Sequence, residues 1–186
     1  MSTYPESTIC VSCRSLCPRP LAQQVERIAA AGVKRIILRE KDLSPEEYLS
    51  LAAEVLEQCR RFDTELIIHN FPEAARALGV TKLHIPMNRL TEELCREFEI
   101  TGTSVHSREE AVRAEKLGVS YITAGHIFAT DCKKGLAPRG LDFLREVCGS
   151  VSIPVYAIGG ITEDNIGSVI SAGAKGACIM SGLMKV

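Results

Sequence analysis

The sequence predicts a compact eight-stranded βα barrel, the TIM-barrel fold. Short apolar runs alternate along the chain with longer segments of helical periodicity. Eight such runs over 186 residues give about 23 residues per unit, which is the rhythm of a small βα barrel. No linker, low-complexity tract or charge block interrupts this pattern, so residues 1–186 are expected to form a single domain. An open doubly wound sheet is the lesser alternative.

The predicted elements follow one another in strict alternation. The strand candidates are TICVS (8–12), RIILR (35–39), ELIIH (65–69), KLHI (82–85), ITGTS (100–104), YITAG (121–125), PVYAIGG (154–160) and GACIMSG (176–182). The clearest helical patterns are PLAQQVERIAAAG (20–32), SPEEYLSLAAEVLEQCRRF (44–62), REEAVRAEKLG (108–118) and EDNIGSVISAG (163–173). Few residues follow the eighth run, so the last helix of the barrel is expected to be absent or truncated.

Several helix boundaries are marked by their residue types. Ser44 and Pro45, followed by two glutamates, form a typical helix start with acids at the positive end of the helix dipole. Ser107, with Glu110 three residues later, predicts a capping box. Glycines fall just past three of the helical patterns, as expected of C-terminal caps: Gly32, Gly118 and Gly173.

The composition excludes several classes of function. The 22 basic and 23 acidic residues give a net charge of −1, which does not suggest a nucleic-acid or membrane-surface partner. No apolar run approaches the roughly 20 residues of a membrane-spanning helix. The N-terminal segment lacks the basic start and apolar core of a signal peptide. We therefore expect a cytoplasmic enzyme or small-molecule-binding protein.

The eight cysteines do not have the distribution of a disulfide scaffold. Cys10, Cys13 and Cys17 form the only cluster, and it lacks a clear fourth ligand for a metal. We expect reduced thiols there and no metal site. The isolated cysteines in helix-like or strand-like segments are Cys59, Cys95, Cys148 and Cys178.

Cationic residues follow the second predicted strand in the sequence LREK. In a βα barrel the active site lies at the C-terminal ends of the strands. Because side chains alternate along a strand, Arg39 and Lys41 are expected on one face and Glu40 on the other. Two cations at a barrel mouth suit an anionic substrate bearing a phosphate or carboxylate.

Small residues end the seventh and eighth predicted strands. Gly159 and Gly160 let backbone N–H groups approach an anion closely, and a helix N-terminus near Thr162 would add dipole stabilisation. The loops after strands seven and eight form the recurrent phosphate site of such barrels. Gly159, Gly160, Met180 and Ser181 are therefore the predicted phosphate-binding residues.

The four histidines, His69, His84, His106 and His126, lie near the ends of four different strands. Gathered imidazoles can bind a metal. However, no H-x-H spacing is present, and alternation places neighbours such as His69 and Asn70 on opposite faces. We expect no catalytic metal, and one or two of these histidines should be structural.

The motifs LREK, SVHS, GHIFATDCKKG, PVYAIGGI and CIMSG together resemble the thiamin phosphate synthase/TenI superfamily. The resemblance runs over nearly the whole chain and is weakest before residue 30. It implies a phosphate-binding βα barrel whose substrate is a small phosphorylated thiazole.

The synthase branch of this superfamily joins thiazole phosphate to a pyrimidine pyrophosphate with the help of Mg²⁺. The resemblance implies its substrate contacts at Arg39, Lys41, Asn70, Ser104, Thr130 and Lys133. The branch holds Mg²⁺ with aspartates after strands three and four, where this chain has Phe71 and the pair Asn88 and Arg89. It also has a proline after the glycine of strand six, where this chain has His126.

The TenI-type thiazole tautomerases are similar to this chain at those departures, and their catalytic histidine falls on His126, which is expected to act as general base and as general acid. The implied reaction aromatises a carboxythiazole phosphate tautomer by moving one proton between a ring carbon and an exocyclic carbon. Imidazole is suited to that transfer, and no metal or organic cofactor is needed. The resemblance further implies that Arg39 meets the substrate carboxylate, that Ser104 and His106 orient the ring, and that Lys133 is a less central anion contact.

The sequence therefore favours an isomerase, a thiazole tautomerase of thiamin biosynthesis. A thiamin phosphate synthase and a non-catalytic regulatory protein that binds thiazole or thiamin phosphates are the alternatives. A phosphosugar-type isomerase on the same scaffold is more remote. An apolar barrel flank left by a missing last helix would suit a homodimer.

Overall fold

The structure, a computed structural model, describes residues 7–130 and 135–185. Within these residues eight parallel strands alternate with eight α-helices, and the strands close into a barrel in the order β1 to β8. The predicted (βα)8 barrel is therefore confirmed, and the open sheet is not formed.

All eight strands lie within or close to their predicted ranges. They are β1 Ile9–Val11, β2 Arg35–Leu38, β3 Glu65–His69, β4 Lys82–His84, β5 Ile100–Val105, β6 Tyr121–Gly125, β7 Val155–Ile158 and β8 Gly176–Ile179. The α-helices are α1 Leu21–Ala30, α2 Pro45–Arg61, α3 Pro72–Leu78, α4 Glu92–Glu97, α5 Arg108–Lys116, α6 Gly140–Ser150, α7 Ile166–Ser171 and α8 Ser181–Met184. Short 3₁₀ helices occupy Arg14–Leu16 and Met87–Arg89.

The chain divides into two compact units, one running to His84 and resuming at Ile179, the other covering Ile85–Cys178. In the first unit β1 to β4 pair in chain order, and β3 and β4 are aligned so that His69 lies opposite His84. In the second unit β5 to β8 pair in the same way. The expectation of a single domain stays a prediction.

The strands are buried on both faces, as expected of a parallel sheet covered by helices. Every residue of β1, β6 and β8 is buried. In the first unit the buried Tyr48 of α2 joins two strand ends, because its hydroxyl donates to the Leu38 carbonyl at 2.6 Å and accepts the His69 N–H at 3.1 Å. The core thus fixes the positions of the residues that follow β2 and β3.

Two predicted helix starts differ in their outcome. Ser44 and Glu47 form a complete capping box at the start of α2. At α5 the predicted box is only half formed. Ser107 Oγ accepts the N–H of Glu110 at 3.1 Å, but the Glu110 carboxylate takes the N–H of His106 at 2.6 Å instead of that of Ser107. The glutamate therefore holds the backbone of a predicted site residue.

The seventh and eighth helices depart most from the predicted pattern. The helix expected from residue 163 begins only at Ile166. The eighth strand ends at Ile179, earlier than predicted, and the four-residue α8 follows it. The last helix is therefore short, in line with the expected truncation. Among the residues described, no α-helix is both long and apolar enough to cross a lipid bilayer.

Candidate active site

A half-open cavity lies at the ends of β5 and β6 in the second unit. Its volume is about 370 Å³, which is enough for a small ring-shaped ligand. The residues that line it are His106, Gly125, His126, Leu136, Ala137 and Arg139. Two of the four predicted histidines therefore meet at one cavity.

His126 directly follows the last residue of β6 and is half-buried. The peptide bond that joins it to Gly125 is cis. Its ring Nε2 lies 3.3 Å from the carbonyl oxygen of Leu136, and its own carbonyl accepts the N–H of Arg139 at 2.9 Å. The returning segment before α6 therefore holds His126 through both its ring and its backbone.

His106 follows β5, and its side chain is fixed on the strand next to it. Its ring Nδ1 lies 2.9 Å from the carbonyl oxygen of Gly125, the residue that precedes His126. Its backbone N–H is held by Glu110. A hydrogen bond therefore links the ring of His106 to the peptide group from which His126 extends.

The Gly159–Gly160 turn after β7 lies directly against the segment that carries His126. A Cβ at Gly159 would lie 2.8 Å from Cα of His126 and closer still to its Cβ, and φ at Gly159 is +100°. A Cβ at Gly160, where φ is +65°, would lie 2.8 Å from Cβ of Phe128. Only glycine permits this approach together with these backbone angles. The predicted phosphate turn and the predicted catalytic base are thus neighbours.

The helix start expected near Thr162 lies a few residues later, at Ile166. The side chain of Asn165 closes the turn instead, because its Oδ1 accepts the Thr162 N–H at 2.9 Å and its Nδ2 donates to the Gly160 carbonyl at 2.9 Å. The amide thereby satisfies the backbone that a helical first turn would otherwise have exposed. The helix itself begins at Ile166, whose N–H donates to the Thr162 carbonyl at 3.0 Å, so a contribution of its dipole to phosphate binding stays a prediction.

Other predicted residues of the second unit have separate positions. Ser104 lies on β5, where its hydroxyl accepts a hydrogen bond from Thr123 on β6 at 2.9 Å. Thr130 is half-buried. Lys133 lies outside the described residues, as do Asp131 and Cys132, so its assignment stays a prediction.

In the first unit the predicted anion contacts follow β2 and β3. Arg39 is half-buried, and its backbone N–H donates to Ser12 Oγ at 2.8 Å. Lys41 is exposed. Asn70 has a positive φ of +69° and donates its backbone N–H to the His84 carbonyl at 2.9 Å.

His69 and His84 form a buried, stacked pair with ring centroids 5.7 Å apart. Burial, together with the positive charges of Arg39 and Lys41, lowers the pKa of His69 to about 4. Burial likewise lowers the pKa of His84 to about 3. Both rings are therefore neutral at neutral pH, which fits a structural or hydrogen-bonding role.

Met180 and Ser181 also belong to the first unit. Met180 precedes α8, and its carbonyl accepts the N–H groups of Leu183 and Met184 at 3.1 and 2.9 Å. Ser181 is the first residue of α8. Their joint action with the glycine turn on one phosphate stays a prediction.

Two groups of functional interest were missed by the sequence analysis. Arg139 lines the cavity of the second unit, and its guanidinium lies 5.2 Å from the ring centre of Phe143. Glu40 of the first unit is buried, and its carboxylate accepts hydrogen bonds from Ser12 Oγ at 2.6 Å and from both the backbone and the side chain of Arg14. Strand alternation indicated only that Glu40 points away from Arg39 and Lys41.

Comparison with known proteins supplies the family. A family model described as "Thiamine monophosphate synthase" matches residues 8–183. The chain belongs to this family.

Relatives within the thiamine monophosphate synthase family cover most of the chain. "Thiamine-phosphate synthase" of Clostridium novyi is 32% identical over 172 residues, which is 90% of this chain and 84% of the relative. "Thiamine-phosphate synthase" of Thermus thermophilus is 35% identical over 155 residues, 82% of this chain and 75% of the relative. The solved structure of "Thiamine phosphate pyrophosphorylase" from Pyrococcus furiosus superposes with a TM-score of 0.85 at 28% identity, covering 99% of this chain and 90% of the other.

These names support an enzyme of thiamine biosynthesis. They favour the synthase, the alternative of the sequence analysis, over the tautomerase that it placed first, since they describe a transferase and not an isomerase.

The residues at the positions where the synthase branch holds Mg²⁺ do not fit that ion. Phe71 stacks on Tyr48 with ring centres 4.2 Å apart and immediately precedes α3. Asn88 and Arg89 are exposed in a 3₁₀ helix, and a guanidinium cannot be a metal ligand. Over residues 7–130 and 135–185, no group of three or more His, Cys, Asp or Glu side chains could hold a metal ion.

The clustered cysteines have no assigned role in the site. Cys13 and Cys17 flank the first 3₁₀ helix, and Cys17 Sγ lies 3.6 Å from Met184 Sδ. The described cysteines form no disulfide with one another.

Proposed function

We propose that this member of the family is a thiazole tautomerase, which moves one proton between a ring carbon and an exocyclic carbon of a carboxythiazole phosphate. The observation that carries the proposal is the position of His126 in the cavity of the second unit, beside His106 and against the glycine turn. An imidazole at the wall of a cavity large enough for a small ring can serve as the general acid–base group for a proton transfer at carbon.

His126 is assigned the role of general base. Its Nε2 faces the Leu136 carbonyl, which can only accept a hydrogen bond, so in the neutral ring Nε2 carries the proton and Nδ1 carries the lone pair. Nδ1 takes the proton from the ring carbon. The electron pair of the broken C–H bond moves through the conjugated system, which becomes aromatic when the exocyclic carbon gains a proton.

The Gly159–Gly160 turn is assigned to the substrate phosphate. The carbonyl groups of the two glycines accept hydrogen bonds from the Phe128 N–H at 3.0 Å and from Asn165 Nδ2. In this assignment the backbone N–H groups of the turn donate hydrogen bonds to the phosphate oxygens. Because the turn contacts His126, a phosphate held there would place the attached ring near the imidazole.

A thiamin phosphate synthase is the second candidate, and the names of the relatives favour it. Its weakness is the residue chemistry at Phe71, Asn88 and Arg89, which does not supply the carboxylates that Mg²⁺ prefers. The non-catalytic binding protein remains the third candidate, because a phosphate site alone does not require turnover.

One pair of assays separates the candidates. Aromatisation of the carboxythiazole phosphate tautomer is followed by its ultraviolet change. Pyrophosphate release from thiazole phosphate and pyrimidine pyrophosphate is measured in parallel with Mg²⁺. We expect turnover in the first assay only. Pyrophosphate release without aromatisation would establish the synthase instead, and binding without turnover in either assay would favour the binding protein.

The variant that tests the mechanism is His126→Gln. Loss of the proton-transfer group should lower tautomerase turnover about 10²–10⁴-fold. Binding of the aromatic product, measured by calorimetry, serves as the control and should change little because the glycine turn is intact. Unimpaired turnover in His126→Gln would contradict the assignment of His126.

A further inference from the structure

We infer that His106 is a second proton-transfer group, which delivers the proton to the exocyclic carbon while His126 removes the one on the ring. This inference rests on the proposed function and extends it from one catalytic imidazole to two. The family resemblance gave His106 only a part in orienting the ring, whereas its hydrogen bond and its place in the cavity assign it chemistry.

The hydrogen bond of His106 determines which ring nitrogen can transfer a proton to the substrate. Nδ1 lies 2.9 Å from the Gly125 carbonyl oxygen. A carbonyl oxygen accepts and never donates, so Nδ1 carries a proton in both charge states of the ring. Nε2 is then the nitrogen that gains and loses a proton, and it is the only one that can act as acid or base.

His126 uses the opposite arrangement. There Nε2 faces a carbonyl oxygen, that of Leu136 at 3.3 Å, and Nδ1 is the nitrogen that can accept a proton from the substrate. Both rings line the same cavity. Among the residues that the structure describes, each of the two imidazoles is held by one backbone carbonyl, which leaves its other nitrogen for proton transfer.

The buried pair His69 and His84 shows what a non-participating imidazole looks like in this chain. Burial lowers the pKa of His69 to about 4 and that of His84 to about 3, so neither ring is in the charged imidazolium form at neutral pH. His106 differs from them because it is exposed. Solvent contact is required of a group that must regain its proton after each turnover.

The proposed step is balanced. Neutral His126 takes the proton from the ring carbon at Nδ1, the freed electron pair shifts through the ring, and the exocyclic carbon forms its new C–H bond with the proton on Nε2 of protonated His106. Substrate and product are isomers. The enzyme ends with His126 protonated and His106 neutral, and exchange with water restores the starting state.

Two groups serve this reaction better than one because the donor and acceptor carbons are different atoms. A single imidazole would have to swing between them, yet His126 is held at its ring by Leu136 and at its backbone by Arg139. A second imidazole removes the need for that movement.

The test compares His106→Asn with His106→Leu in the full chain. The asparagine amide can occupy the place of Nδ1 and still donate to the Gly125 carbonyl, but it has no group that titrates. Leucine removes both the hydrogen bond and the acid. We expect each variant to lower aromatisation about 10²–10⁴-fold. Near wild-type turnover in His106→Asn with loss in His106→Leu would reduce His106 to a positioning residue and overturn the inference.

Isotope exchange in D₂O separates the two half-steps. In His106→Asn, His126 should still remove and return the ring proton, so recovered substrate gains deuterium at the ring carbon while little product forms. In His126→Gln that exchange should be lost. Loss of ring exchange in His106→Asn with product binding retained would contradict a separate second group. A wild-type enzyme that neither exchanges nor aromatises the substrate would contradict the proposed function itself, which is a different result.

A readout independent of turnover is the tautomer of His106. Long-range ¹H–¹⁵N NMR of the histidine-labelled protein distinguishes the two neutral forms, and the signals are assigned by their loss in His106→Asn. We expect the Nδ1–H form at His106. An Nε2–H form would overturn the inference whatever the enzyme turns over.

Discussion

Replacement of Gly159 by alanine tests whether the glycine turn controls the position of His126. The added Cβ would lie 2.8 Å from Cα of His126, closer than such atoms ordinarily approach, and the residue would keep a φ of +100° that L side chains rarely adopt. Either the turn or the histidine segment must therefore move.

The cost follows from these two effects. Holding alanine in a sparsely populated backbone region costs on the order of 1–3 kcal/mol. Relieving the overlap with a packed backbone costs about 1–3 kcal/mol more. We expect the free energy of unfolding of Gly159→Ala to fall by about 2–6 kcal/mol, and tautomerase turnover to fall because His126 is displaced.

Urea denaturation measures the first effect, and the ultraviolet assay measures the second. Gly167→Ala is the matched control, since Gly167 lies in α7 with φ outside the positive range and nothing within 4 Å of an added Cβ. Alanine there should stabilise the protein by up to about 1 kcal/mol. If Gly159→Ala unfolded at the same urea concentration as the wild type, the close approach between the turn and His126 would be wrong.

Two further predictions concern the first unit. Glu40→Gln should lower the free energy of unfolding by about 2–4 kcal/mol, because the buried carboxylate that accepts three hydrogen bonds loses its charge. Asp42→Asn should shift the urea midpoint little, since the ion pair between Asp42 and Arg14 is exposed. An equal shift of the urea midpoint in both variants would contradict this difference. The free energy of unfolding should also fall as the pH is lowered from 6.5 towards 3. His69 and His84 have pKa values of about 4 and about 3 in the folded chain, so over this range the unfolded chain binds more protons at these two residues than the folded chain does. Between pH 6.5 and 5 the pair should lower the free energy of unfolding, measured by urea denaturation, by on the order of 1–3 kcal/mol. If the free energy of unfolding of His84→Asn fell with pH as steeply as that of the wild type, the low pKa of His84 would be refuted.

Much of the fold could be predicted because a parallel barrel repeats one simple unit. The apolar runs of β2, β3 and β6 are buried on both faces and stand out without any tertiary information. Short helices such as α3 and α4 could not be recognised, since six or seven residues hold too few turns for a periodic pattern.

Local patterns failed where the partner of a side chain depends on how neighbouring elements pack. The spacing of Ser107 and Glu110 correctly predicts the hydrogen bond from the Glu110 N–H to Ser107 Oγ. Which backbone N–H the Glu110 carboxylate accepts depends on how the chain leaves β5, and the spacing does not show this. The stacking of His69 on His84 depends on the register of β3 with β4, which residue alternation within one strand does not determine.

The candidate site was predicted where a short motif carries it and missed where a loop returns to it. His126, Gly159 and Gly160 were found from the sequence around strand ends. Arg139 follows His126 by thirteen residues and is joined to it by a backbone hydrogen bond to the His126 carbonyl. No spacing rule relates two residues joined in this way.

The name of a family and the activity of one member are separate questions for this chain. Identity of 32–35% over most of the chain shows the family, and both candidate activities can use the same barrel. The activities differ at few positions. A synthase needs oxygen ligands for Mg²⁺ where Phe71 and Arg89 stand, and a tautomerase needs an imidazole where His126 stands. A double variant with Phe71→Asp and Arg89→Asp introduces the two carboxylates and tests the two chemistries directly. If Mg²⁺-dependent pyrophosphate release appears only in the double variant, these two positions separate the branches. Release by the wild type at the same rate would show that the chain performs the synthase reaction without the two carboxylates.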